Sequence, residues 1–208
     1  MVTIAIEGVD YVGKSSIADF LARNHNFTAI KVPQKEFMPE TKAYVKARRS
    51  TEVLQSFIFY SAANAYTSLY VSDYLKSNPN SNIVLDRFTN SNYISHIVAD
   101  EIYNGGKNVK VIESLFERDR KNLFTPDMTV FLYADQEARK LRMLLRGSDK
   151  ESSLNTAFDE QSQRKLMQFV RRLKESTAKV MEIDTSHSSV EETGSKIVKA
   201  IGISLYAQ

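Results

Sequence analysis

The sequence predicts an α/β fold, a five-stranded parallel sheet with helices on both faces. Three observations carry this. Five short apolar runs, at residues 2–6, 29–32, 83–85, 128–133 and, more weakly, 180–183, are largely continuous rather than alternating. Strands buried on both faces have that pattern. Segments with helical spacing lie between the runs, so strand and helix alternate as in βαβ crossovers. A glycine-bearing loop, residues 8–16, stands between the first run and the first helical segment.

The helical segments follow in order. Residues 15–23 place Ile17, Ala18, Leu21 and Ala22 on one side, and residues 52–76 repeat Leu54, Phe57, Ile58, Ala62, Ala65 and Leu69 at helical spacing. Segments 91–103, 109–121, 136–146, 155–179 and 190–201 complete the set. No internal repeat and no low-complexity tract divides the 208 residues, which are read as one domain, 1–208. In open parallel sheets ligands bind beyond the carboxyl ends of the strands, so the residues just after each strand are the ones to read for chemistry.

Composition removes several function classes. There is no cysteine, which excludes a disulfide scaffold, a thiol nucleophile and a cysteine-ligated zinc site, and fits a cytoplasmic home. The net charge of +3 is spread along the chain, enough for a phosphate pocket and too weak for a nucleic-acid surface. No apolar stretch approaches the roughly 18 residues of a membrane span. The start, Met-Val-Thr-Ile-Ala-Ile-Glu, reads as a first strand and not as a secretory signal.

Residues 8–15 spell Gly-x-x-x-x-Gly-Lys-Ser, the Walker A pattern. Glycines let backbone N–H groups turn toward phosphate oxygens, and the following helix adds its positive N-terminal end. Gly8, Val9, Asp10, Tyr11, Val12, Gly13, Lys14, Ser15 and Ser16 are therefore the candidate triphosphate loop. Lys14 is expected at the β- and γ-phosphates, and Ser15 on Mg²⁺. No Asn-Lys-x-Asp guanine-reading segment occurs, and the small size favours a kinase of small molecules over a GTPase or motor. At the end of the run 83–85, Asp86 is placed to hold the Mg²⁺ water shell, and Arg87 beside it to neutralise an acceptor phosphate.

These motifs, with Ser91, the segment 126–132 and the stretch from Arg142 to Gly147, resemble thymidylate kinases over nearly the whole chain. The resemblance implies a three-layer P-loop kinase fold and Mg²⁺-dependent transfer of the γ-phosphoryl of ATP to a nucleoside monophosphate, dTMP first. It implies small-molecule nucleotides as partners, no nucleic-acid polymer, no membrane, and a homodimer through helices that include 52–76. It places Asp10 near the acceptor sugar or phosphates, Arg87 on the acceptor phosphate and Tyr60 against the acceptor base. It places Arg146 on the donor adenine, Ser186 and His187 in the loop bordering that adenine, and a mobile lid around 146–156. Arg142 and Lys150 are its candidates to reach the transferring phosphoryl. His25 and His96 read as surface or helix positions with no evident partner.

Four departures from that family are visible. Tyr11-Val12 stand where one class carries a P-loop arginine, so a catalytic arginine would have to come from the lid. The lid, residues 148–153, offers Lys150 instead. Lys31-Val32-Pro33 replaces Arg-Glu-Pro, so Lys31 keeps a positive charge while the acid is gone. Asn64 stands where an arginine lies near the base. Two alternatives therefore stay beside the monophosphate kinase. One is a deoxynucleoside kinase, whose branch uses an acid after the second strand as base for a 5′-hydroxyl. The other is a nucleotide-binding homologue without catalysis.

Overall fold

The computed structural model describes residues 1–146, 156–176 and 179–202. Its strands are β1 (Thr3–Glu7), β2 (Phe27–Lys31), β3 (Asn82–Asp86), β4 (Met128–Tyr133) and β5 (Val180–Asp184). They form one sheet in the order β2-β3-β1-β4-β5. β1 runs parallel to β3 and to β4, and β4 parallel to β5. The expected five-stranded α/β class is thus the one the chain forms. The middle of the sheet is dry: Ile4, Ile6, Ile83, Val84, Leu85, Val130, Phe131 and Leu132 are all fully buried. Their β-branched and aromatic side chains suit a strand covered on both faces.

The strand order fixes where chemistry can occur. β1 lies between β3 and β4, so the chain leaves it at the point where the sheet changes direction, and a crevice opens beyond its carboxyl end. The register pairs Ile6 with Asp86 and with Val130. The loop after β1 therefore starts level with the acidic tip of β3.

The helices are α1 (Lys14–Asn24), α2 (Pro39–Ala47), α3 (Val53–Ser77), α4 (Thr89–Asn104), α5 (Val109–Asp119), α6 (Gln136–Leu145), α7 (Thr156–Ser176) and α8 (Val190–Ala200). α2 is absent from the sequence reading. It has no buried residue, so it carries no apolar stripe to announce it. Its cue is local: Pro39 at the first turn, followed by Glu40. α8 opens with a capping box, Ser189 to the Glu192 N–H and the Glu192 carboxylate back to the Ser189 N–H. Gly194 on α8 lets the Phe20 ring of α1 approach to within 2.4 Å of where a Cβ would stand.

Two compact units share the chain. The first comprises residues 1–30, 80–86 and 126–208, the second residues 31–79 and 87–125. In the first, α1 packs on β1, β3 and α8, and α7 on β5. In the second, α3 packs on α2, α4 and α5, and α4 on α5. Among the described residues no helix is long and apolar enough to cross a membrane.

Candidate active site

In the first unit the phosphate loop is built by two glycines. Gly8 has φ 150, and a Cβ there would lie 2.4 Å from the Leu132 carbonyl, so no side chain fits. Gly13 has φ 97 and turns the chain into α1. Lys14, at the start of α1, is buried and its ammonium donates to the Val9 carbonyl, folding the loop back on itself. An anion seated here would meet that ammonium and the N–H groups of the first turn of α1. Tyr11 holds φ 65 without being glycine, a conformation that costs about 1–3 kcal/mol. Asp10 is exposed at the crest of the loop.

Ser15 and Asp86 meet as the register requires. The Ser15 hydroxyl donates to Asp86 Oδ2 at 2.5 Å. Asp86 Oδ1 is buried and receives no hydrogen bond. A buried carboxylate oxygen without a partner is costly, and a cation beside it removes the cost. A serine hydroxyl and a carboxylate are hard oxygen donors of the kind Mg²⁺ takes when phosphate and water complete its shell. The pair therefore fits a Mg²⁺ ion. No cluster of three or more His, Cys, Asp or Glu among the described residues offers an all-protein site.

Two of the expected arginines of this unit reach the loop, and Ser186 and His187 lie on Asp135 and Asp184 instead. Arg142 of α6 donates to the Tyr11 carbonyl at 3.3 Å, to Thr185 Oγ1 at 3.1 Å and to the Thr185 carbonyl. Arg146 lies 3.5 Å from the Ser16 hydroxyl. Ser186 accepts from the Asp135 N–H at 2.9 Å and donates to Asp184 at 2.6 Å, while His187 is largely exposed, 3.8 Å from Asp135. The Ala138 N–H, first among the causes, holds the Asp135 carboxyl below its usual range, with Ser186, His187 and Arg142 adding to it. Asp135 is the N-cap of α6, so this acidity is the expected effect of a helix start. Lys150 and residues 147–155 of the expected lid lie outside the described residues.

The second unit carries the other candidates. Arg87 has φ 71, a left-handed conformation at a non-glycine position. Asn64 and Ser91 are buried, Tyr60 is half-buried and Lys31 is exposed. Tyr60 rests edge-on against Phe59, ring centroids 5.3 Å apart, and against His96 at 5.7 Å.

His96 corrects the sequence reading. It is 1% exposed and well partnered. Its Nδ1 lies 2.8 Å from the Asn92 carbonyl and its Nε2 2.9 Å from the Ser56 hydroxyl. A carbonyl only accepts, so Nδ1 carries the proton and Nε2 accepts from Ser56. Burial, then the nearby Arg49, pushes its pKa down to about 3, against the smaller opposing effect of the Asn92 bond. His25 is also not isolated, with its ring 5.4 Å from Phe20.

Two groups escaped the sequence reading. Thr185 follows a weak strand and has no motif around it, yet its hydroxyl reaches the Val12 carbonyl at 2.9 Å. Lys42, on the overlooked α2, has its pKa lowered by burial and by the charges of Lys31 and Lys46.

Solved structures share this fold at low identity. Thymidylate kinase from Candida albicans superposes with a TM-score of 0.78 at 20% identity, covering 96% of this chain and 90% of that one. Deoxyadenosine kinase from M. mycoides with bound dATP gives 0.73 at 20%, and the same enzyme with bound dCTP 0.73 at 19%, each covering 96% of this chain and 98% of the other. No curated protein matches the sequence. These likenesses show the fold, with thymidylate kinase as one structural relative among others. The deoxynucleoside kinase family model matches residues 4–205, and the chain belongs to that family.

Proposed function

We propose that this chain moves the γ-phosphoryl of a nucleoside triphosphate onto the 5′-hydroxyl of a deoxynucleoside. One observation carries the chemistry: Ser15 on one oxygen of Asp86 and nothing on the other, beside a phosphate loop with its lysine in place. The family supports the acceptor class. In this reading the loop N–H groups, Lys14 and Arg146 hold the donor, with Ser186 and His187 beside its base, and Mg²⁺ at Ser15 and Asp86 offsets charge on the phosphates. The second unit takes the acceptor in this reading, Arg87 its 5′ end, Tyr60 its base, and Asn64, Ser91 and Lys31 its remaining polar groups. Val32 stands where an acid would take the hydroxyl proton. A loose phosphoryl-transfer transition state asks little of the nucleophile, so without that acid the step is slower but still balances: the new P–O bond forms as the bond to the β-phosphate breaks, the nucleoside diphosphate leaves, and the hydroxyl proton passes to an oxygen of the transferred phosphoryl group.

The second reading is a nucleoside monophosphate kinase, with dTMP as acceptor. Val32 and the Lys31, Lys42 and Lys46 group favour it, because a phosphate acceptor is already an anion and needs cations more than a base. ADP formation from ATP with dA, dC, dG and dT, and with dAMP, dCMP, dGMP, dTMP and dUMP, separates the two. Turnover of at least one nucleoside supports the first. Turnover of monophosphates alone establishes the second. ATP binding with no turnover on any of them identifies a nucleotide binder without catalysis.

A further inference from the structure

Thr185 is the residue directly after β5, and it is 3% exposed. Its hydroxyl lies 2.9 Å from the Val12 carbonyl and 3.1 Å from the Tyr133 carbonyl, and its N–H also bonds to Tyr133, at 2.9 Å. One side chain thus spans the phosphate loop and the end of β4. Arg142 closes the arrangement from α6. Its guanidinium donates to Thr185 Oγ1, to the Thr185 carbonyl and to the Tyr11 carbonyl. The next residues, Ser186 and His187, are gathered by Asp184 and Asp135.

The carbonyl that Arg142 reaches in the loop belongs to Tyr11, whose φ of 65 is unfavourable for an L residue. Such a conformation persists where its surroundings over-determine it. A guanidinium offers a planar fork of donors, which is what two neighbouring carbonyls and a hydroxyl need. With its guanidinium on the Tyr11 carbonyl, the Thr185 carbonyl and Thr185 Oγ1, Arg142 is engaged in holding the loop.

We propose that Arg142 and Thr185 are positioning residues that lock the phosphate loop to the loop at residues 186–187, so that a nucleobase seated at the second fixes the shape of the first. The inference rests on the reading of Ser186 and His187 as the donor-base loop. Its consequence is selectivity for a whole nucleoside triphosphate over bare polyphosphate. Base binding orders the loop after β5, and the lock transmits that order to Tyr11 and Val12 as a tighter cradle.

Calorimetric titration of ATP and of tripolyphosphate into wild type and Arg142→Ala, with steady-state kinetics on ATP, tests it. Wild type is expected to prefer ATP. In Arg142→Ala the ATP affinity falls about 10-fold or more, the loss of a charged hydrogen-bond donor, and the tripolyphosphate affinity falls far less. KM for ATP rises with it while kcat changes little. Arg142→Lys restores part of the ATP preference. Equal weakening of both ligands overturns the lock, as does a collapse of kcat at unchanged KM, which would place Arg142 on the reacting phosphoryl. If wild type itself shows no preference for ATP, the donor-base reading of residues 186–187 fails and the inference with it. Should Arg142→Ala not fold, Thr185→Val keeps the arginine and is expected to lose ATP preference in the same direction, more weakly; an unchanged preference there overturns the lock.

Discussion

The two compact units make their candidate groups in different ways. In the first, residues 1–30, 80–86 and 126–208, every chemistry-bearing group except those on α6 sits on a loop or helix start at the carboxyl end of a strand. In the second, residues 31–79 and 87–125, Lys31 and Arg87 stand at strand ends, but Tyr60, Asn64, Ser91 and His96 sit on the faces of α3 and α4. A strand end aims its next residues by backbone geometry, so the motif already states their use. A helix face turns the same residue types inward or outward according to packing. The first unit is therefore expected to fail in chemistry when altered and the second in stability or acceptor choice.

The strongest test of that contrast is Lys14→Ala. Removing a cation aimed at phosphate oxygens is expected to lower kcat/KM by about 10²–10³-fold in a steady-state assay, with the thermal midpoint little changed. Asp86→Asn follows. Turnover is expected to fall by a similar factor and the Mg²⁺ requirement to rise, read from a Mg²⁺ titration. Because Asp86 Oδ1 has no hydrogen bond, this variant should be at least as stable as wild type in denaturant melts. Loss of stability equal to the loss of activity would erase the distinction between the units.

In the second unit the prediction concerns pH. His96 is neutral when folded, with its pKa near 3, and titrates near 6.5 when unfolded. Between those values the unfolded chain binds the extra proton, so stability rises with pH. The contribution is complete above about 6.5 and is lost as pH falls toward 3. The slope is at most about 1.4 kcal/mol per unit. Urea melts from pH 4 to 8 should show this slope in wild type and lose it in His96→Asn, whose amide does not titrate. The smallest effect is a coupling. Tyr11→Gly removes the steric cost at φ 65, so Arg142→Ala should cost about 1 kcal/mol less stability in that background than alone.

The same contrast explains what was legible in the sequence. The strand runs, the phosphate loop and the Asp86 tip could be read because continuous apolar residues and glycine spacing are local signals. Ser15 and Asp86 are 71 residues apart and still predictable as partners, because the phosphate loop that leads to Ser15 leaves β1 and Asp86 ends β3, strands that a βαβ pattern makes neighbours. His96 lies on a helix, as one of its two readings had it, but its burial and its partner were missed, since Ser56 is 40 residues away and helical periodicity says nothing about which buried polar groups pair. α2 escaped because it buries nothing. Thr185 escaped because one threonine after a weak strand carries no pattern. Lys42 was hidden with its helix. The thymidylate kinase resemblance rested on the phosphate loop, the Asp86-Arg87-Phe88 segment with Ser91, residues 126–132 and the stretch from Arg142 to Gly147. The departures at Val32, just after β2, and at Asn64, on α3, lie outside those segments.

The most direct test of the central claim is one competition. Wild-type protein, Mg²⁺ and γ-labelled ATP are given equimolar deoxynucleosides and their 5′-monophosphates, and the labelled products are separated. The account predicts label in the 5′-monophosphates, formed from nucleosides. Label confined to the diphosphates would contradict it and assign the monophosphate acceptor instead.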